Sequence, residues 1–344
     1  MSSSPHGSRQ SPPRLTADVE RGFSALEEGR IDDAAELLEK LQKLDRKNAD
    51  VVALTAAIAD ARGEIEEALA RYHELSELRP DDPMPRICIA RIQLHDQGNP
   101  DEALDTIDAV FDFIDEERDL IDAVMLRAEA LIVLDDLEAA RTSLSELATS
   151  VIDEPDLALD LAELALAAED FATAKRWIEI GRKEAELVPD ALHLLGRVYE
   201  ATDDRTEMVA TWKQVRALDA AAAPGDVAIS EDEIVRIAEE ALAELSEEAN
   251  QNLERVAILI DDLPSDELIA DGVDPRLLGL FQGTGMADDS AAPSVTTIHL
   301  FKRNLERVSH DLDELAEQVR ITVLHETAHY FGLDEEDLEN LGLD

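Results

Sequence analysis

The stretch EEGRIDDAAELLEKL (27–41) is echoed one period later by ARGEIEEALARYHEL (61–75). The same texture returns as DQGNPDEALDTIDAV (96–110), LDDLEAARTSLSEL (134–147) and AEDFATAKRWIEIG (168–181), with a weaker copy, TDDRTEMVATWKQV, at 202–215. The residue read as opening the second helix of each copy falls at Ala34, Ala68, Ala103, Ala140, Ala174 and Met208, at intervals of 34, 35, 37, 34 and 34 residues. A fixed period of this size marks one supersecondary unit repeated along the chain.

Each unit has a first helix with apolar residues at helical spacing, such as Val52, Leu54, Ala57, Ile58 and Ala61. A turn with Gly, Asn or Asp follows, then a second amphipathic helix whose small residues let the pair approach closely. Breaks such as Arg79-Pro80-Asp81-Asp82 close several units, because Pro cannot continue a helix. About six such units over residues 15–219 resemble the tetratricopeptide repeat (TPR) family. The resemblance implies an α-solenoid with a concave surface. That surface reads as a groove for a peptide or partner protein, or else as a spacer or oligomerisation surface.

The array is followed by Ala-Ala-Ala-Ala-Pro-Gly (220–225), and residues 220–229 read as a linker. Ser230 with Glu233 three residues on is a capping signal that opens a helix through about Leu245. Strand-like runs follow at 256–260, 277–281 and 296–301, then one or two helices from Asn304 to Phe331. A Gly- and Ser-containing loop, 282–294, separates the last two runs. Residues 230–344 thus read as a small α+β domain, and the whole chain as mostly α.

Composition narrows the function. Eighty acids against 31 bases leave a formal net charge of −49. Binding nucleic acid or anionic lipid rests on Lys and Arg neutralising phosphate, so neither is an expected partner. Hydrophobic residues make up 45% but aromatics only 3%, a balance that favours helix packing. The acids are spread along the chain, as on a solvated surface. The single Cys88 cannot form an internal disulfide and reads as a small core residue. MSSSPHGSRQSPPR (1–14) reads as a disordered tail without the apolar core of a signal peptide, so the protein is expected to be cytoplasmic.

The chemistry lies near the C-terminus, where residues 325–329 read His-Glu-Thr-Ala-His. On a helix His325 and His329 are i and i+4 and project from one face, one turn apart, the separation two imidazoles need to reach one metal. Glu326, rotated about 100° from His325, is placed to reach a water on that metal. Ile321, Leu324, Ala328 and Phe331 form a separate apolar side. Gly332 lets the chain turn so that one of Asp334, Glu335, Glu336 or Asp337 can approach as a third ligand.

RVAILIDDLP (255–264), DPRLLGLFQG (274–283), TTIHLFKRNLE (296–306) and TVLHETAHYFGLDEEDLENLG (322–342) resemble the minimal zincin-like metallopeptidases. The resemblance implies a compact fold with a short sheet beside the helix, one Zn2+ per chain and peptide hydrolysis. It also implies an acidic third ligand at the position of Glu335, with Asp334 just before it as the alternative. Glu326 is then the catalytic base. Residues 296–301 are expected as an edge strand that holds an extended peptide substrate, and the 282–294 loop as its lid. His73, His95 and His193 read as ordinary helix residues, and His299 and His310 as structural residues with cleft positions as the alternative.

Two functions from different classes remain open. One is a zinc peptidase whose repeats recruit substrate or a partner. The other is a repeat-based scaffold whose zinc domain is structural or inactive. The intact Glu326 and the absence of any Cys after Cys88 favour an open catalytic site over a closed structural one.

Overall fold

The computed structural model describes residues 13–223, 225, 227–245, 253, 256–283 and 296–333 of the chain. The repeats form helical pairs: α1 (Pro13–Glu27) with α2 (Ile31–Asp45), α3 (Ala49–Ala61) with α4 (Ile65–Leu78), and α5 (Met84–His95) with α6 (Pro100–Asp108). They continue as α7 (Glu117–Val133) with α8 (Leu137–Ser145), α9 (Pro155–Ala167) with α10 (Phe171–Gly181), and α11 (Val188–Ala201) with α12 (Arg205–Ala221). Contacts divide the chain into two compact units, Met1–Trp177 and Ile178–Asp344. The change of sequence texture at 219–230 therefore lies inside the second unit.

In the first unit each core is built from one helical pair and the first helix of the next. Leu15, Val19, Ala34, Leu38, Val51 and Leu54 join α1, α2 and α3. Ala56, Ala68, Tyr72, Ile89 and Ile92 join α3, α4 and α5, and Ile87, Ala103, Ile107, Ala123 and Leu126 join α5, α6 and α7. No pair buries its apolar face alone, which is why the period persists. The six small or apolar marker residues are the fourth residue of their helices, not the first. All five alanines among them are 0% exposed, so a larger side chain there has no room.

Between the two helices of each pair, one residue adopts the left-handed conformation. These are Gly29, Gly63 and Gly98 (φ 71°, 69° and 63°), then Asp135, Glu169 and Asp203 (φ 59°, 57° and 56°). Glycine takes this shape freely, whereas a Cβ is crowded there. Each strained acid is followed by an Asp whose carboxylate caps the next helix: Asp136 accepts from Ala139 N at 3.1 Å, Asp170 from Thr173 N at 3.1 Å and Asp204 from Glu207 N at 3.3 Å. The glycine turns lead into Arg30, Glu64 and Asn99, none of which caps with its side chain. Cys88, expected in the core, is only partly buried against the Tyr72 cluster.

The second unit adds α13 (Glu231–Ala243), β1 (Val256–Asp261), α14 (Asp266–Asp271), β2 (Gly279–Gln282), β3 (Thr296–Phe301), α15 (Lys302–Val308) and α16 (Leu312–Phe331). Ser230 caps α13 by accepting from Glu233 N at 3.2 Å. The described strands form one sheet in the order β1-β3-β2, with β1 parallel and β2 antiparallel to β3. Thr296–Phe301 is thus the central strand, not the expected edge: both of its sides are already hydrogen-bonded. The run expected at 277–281 is strand only from Gly279, although the Leu278 carbonyl already accepts from Phe301 N; the Leu277 carbonyl accepts from the Asn304 side chain at 2.8 Å instead. Ile234, Ala238, Ile298, Leu300, Leu305, Val319 and Val323 form the core between α13, the sheet, α15 and α16. The loop expected as a lid lies, beyond Gly283, outside the described residues. No helix among the described residues is long and apolar enough to cross a membrane.

Candidate metal centre

α16 begins where Asp311 accepts from both Asp313 N and Glu314 N, each at 2.9 Å, and ends at Gly332 in the left-handed conformation (φ 83°). Its 20 residues put His325 and His329 on one face, in the last two turns. Their Nε2 atoms are 3.0 Å apart and their rings are nearly perpendicular. Two nitrogens held at roughly 2.0–2.1 Å by one tetrahedral zinc lie about 3.3 Å apart, so the pair fits this metal with a small adjustment. His329 Nδ1 is 3.3 Å from the Leu333 carbonyl, which can only accept. A proton on Nδ1, donated to that carbonyl, would leave Nε2 its lone pair, the tautomer a ligating imidazole needs.

Glu326 is buried, at 7% exposure, and its Oε2 accepts from the Phe281 backbone N–H at 2.6 Å. That donor belongs to β2, and the register explains its direction. Leu278 O is bonded to Phe301 N at 2.9 Å, so alternate residues of β2 face β3 while Gly279 and Phe281 turn their backbone groups to the open edge. Among the described strands, the open edge next to the histidines is therefore β2. Gly279 is where the strand comes closest to α16: a Cβ there would lie 2.5 Å from Thr322 Cγ2 and 3.1 Å from Glu326 Cγ. The Phe281 and Tyr330 rings, 5.7 Å apart, close the other end of the contact.

A cavity of about 190 Å³ opens beside this pair, lined by Leu277, Leu278, Gly279, Ile321, His325 and Glu326 among others. A larger one, about 510 Å³, lies away from the histidines among Asp190, Asp219, Arg276, Arg303 and Arg307. Of the expected site residues, His325, Glu326 and His329 are brought together on α16. Asp334 and Glu335 lie outside the described residues, and no group of three or more metal-ligating side chains occurs among those described. His299 sits on the sheet face away from α16, where its Nδ1 is 2.8 Å from Asp261 Oδ2. His310 stands at the opposite end of α16, about 20 Å from His325 along the axis at 1.5 Å per residue. Neither lines the cavity beside His325; His310 lines the larger one instead.

Residues 253–343 match the family model described as Zincin-like metallopeptidase, and residues 25–92 match that of the Tetratricopeptide repeat. The chain is a TPR array followed by a zincin-like domain. Among solved structures it resembles PilW, described as a widely conserved type IV pilus biogenesis factor. That likeness has a TM-score of 0.52 at 14% identity and covers 62% of this chain and 96% of PilW. PilF of Pseudomonas aeruginosa aligns with a TM-score of 0.48 at 17% identity, over 60% of this chain and 93% of its own. At these identities the likeness to PilW speaks for the helical-repeat fold alone. No curated protein matches the sequence.

Sequence reasoning missed how the zincin-like domain is tied to the last helical pair. His193 of α11 contacts both carboxylate oxygens of Asp274, each at 2.9 Å. Burial acts to raise the Asp274 carboxyl, but hydrogen bonds from His193 and the Arg276 amide, with the Arg276 charge, hold it below its ordinary value. A lone His on a repeat helix carries no signal of this.

Proposed function

We propose that the zincin-like domain is a zinc-dependent peptidase, with the TPR array recruiting its substrate or a partner protein. One observation carries the reading: two histidines with converging Nε2 atoms stand beside a buried carboxylate that reaches the open edge of a strand. His325 and His329 would hold the metal, with Glu335 as third ligand by position and Asp334 as the alternative. Bound zinc supplies Lewis-acid polarisation of the scissile carbonyl and activation of a water.

The chain's own residues do the rest. Gly279 and Phe281 offer outward backbone groups with which an extended substrate can pair along β2. Glu326, desolvated and oriented by the Phe281 N–H, accepts the proton of the attacking water and passes it to the leaving amine. Leu277, Leu278 and Ile321 provide apolar walls that exclude bulk water from the carboxylate. In the array, a cavity of about 340 Å³ between α5 and α7 has an apolar floor of Met84, Ile87, Met125 and Leu126, a place for a partner's side chain.

The test is zinc per chain in untagged protein, in His329→Ala and in Glu326→Gln. The reading expects about one zinc in the wild type and in Glu326→Gln, and its loss in His329→Ala. A wild type that takes up no zinc even after reconstitution would leave the array as the functional part.

A further inference from the structure

The last helical pair and the zincin-like domain are joined by a network richer in arginine than the chain's composition leads one to expect. With 31 basic residues against 80 acids, guanidinium groups are scarce. Five of them nevertheless meet at this joint. Arg205 donates to the Ala270 carbonyl at 3.0 Å, Arg216 to the Pro264 carbonyl at 2.6 Å, and Arg303 to the Ala220 and Ala222 carbonyls at 2.9 and 2.7 Å. Arg276 reaches Asp190 at 2.6 Å and both oxygens of Asp219 at 3.2 and 3.4 Å. Arg307 also reaches Asp219, at 2.7 Å. The Asp219 side chain, at the end of α12, is only 5% exposed.

These contacts converge on one short segment. Residues 273–278 lead directly into β2. From one side His193 and Asp190 of α11, with Asp219 of α12, hold Asp274 and Arg276. From the other side Asn304 of α15 donates to the Pro275 carbonyl at 2.9 Å and the Leu277 carbonyl at 2.8 Å. The segment is gripped on both sides immediately before the strand whose Phe281 N–H bonds Glu326. A partly buried ion network of this kind loses some of its attraction to desolvation, and its best-attested use is to specify one arrangement over others.

We propose that the sixth helical pair is a positioning element for the candidate centre: through Asp274 and Arg276 it fixes the approach of β2 to α16 and so the setting of Glu326. Arg276, His193 and Asp274 are positioning residues that act through the Phe281 amide and touch no substrate. The functional weight of Glu326 rests on the peptidase reading, whereas the hold on β2 does not. The two therefore fail separately.

The test is amide hydrogen exchange resolved to Phe281, on the full-length metal-free chain, with Val319 and Val323 of α16 as internal reference. Arg276→Met keeps the aliphatic stem and removes the guanidinium. It is expected to speed exchange at Phe281 at least ten-fold while Val319 and Val323 keep the wild-type rate. Arg276→Lys is expected to restore part of the protection. His193→Gln leaves the arginine network in place and serves should Arg276→Met not fold; it is expected to give a smaller acceleration at the same amide. Unchanged Phe281 exchange in a folded Arg276→Met or His193→Gln variant overturns the proposal. So does acceleration that appears equally at Val319 and Val323, which would mark general loosening. Zinc content and peptide cleavage play no part in this readout, so an inactive or metal-free domain leaves it decisive.

Discussion

Gly279→Ala tests the closeness of β2 to α16. The added Cβ would stand 2.5 Å from Thr322 Cγ2 and 3.1 Å from Glu326 Cγ, both inside any ordinary contact distance. Thr322 cannot swing aside, because it is 6% exposed and a β-branched residue in a helix has few rotamers. The strand cannot retreat either, since its Leu278 carbonyl is bonded to β3. Overpacking of this kind costs about 1–3 kcal/mol. For a cooperative unit of this size that is roughly 2 to 12 °C in Tm. The assay is a double-mutant cycle with Thr322→Ser, which deletes the clashing methyl. The single Thr322→Ser loses about 0.5–1.5 kcal/mol for the missing methyl group. The pair should then be more stable than the sum of the singles by about 1 kcal/mol or more. A neutral Gly279→Ala, or strictly additive singles, would refute the claimed contact.

Four further outcomes follow from features elsewhere. Glu169→Gly should stabilise the first unit by about 0.5–1 kcal/mol, because relief of the left-handed strain exceeds the entropy glycine adds to the unfolded chain. Gly98→Ala, at the equivalent turn, should shift the urea midpoint the opposite way. Gly196→Ala would place a Cβ 2.0 Å from Nε1 of the fully buried Trp212. It should cost the second unit about 3 kcal/mol in urea unfolding, the upper end for overpacking. Because Asp274 is held below its ordinary value in the fold, its contribution to stability is present above the unfolded value of about 3.9 and is lost as pH falls through the folded one. Groups facing it are His193, Glu200 and Arg276. Asp274→Asn should therefore lower Tm at neutral pH, and its difference from the wild type should shrink as pH falls below the unfolded value, checked by calorimetry across that range.

The repeats were legible because their signal is periodic. Ala34, Ala68 and Ala103 recur at positions where only a small side chain fits, and the turns recur with them. The site helix was legible for a similar reason: the histidines, the cap and the final glycine all lie within one local element. Strand order was not. Alternation in TTIHLF tells which residues share a face, and says nothing about which neighbours lie to either side, so a central strand was read as an edge. The grip on residues 273–278 was equally hidden, since it joins Asp190, His193 and Asp219 to residues 57 to 86 positions away. An acid or a histidine on an amphipathic helix looks the same whether it meets water or a distant arginine.

The shortness of β2 bears on how much of a substrate's sequence this domain can read. A strand of four residues is about 14 Å long at 3.4 Å per residue, and only Gly279 and Phe281 turn their backbones outward. One of those two, moreover, gives its N–H to Glu326. Under the proposed reading, the described edge offers an incoming peptide very few hydrogen bonds, and backbone pairing does not distinguish one side chain from another. The information that selects a substrate must then come from somewhere other than this strand. That would make the choice of target a matter of which polypeptide is brought near the cleft, more than of which residues flank the bond that is cut.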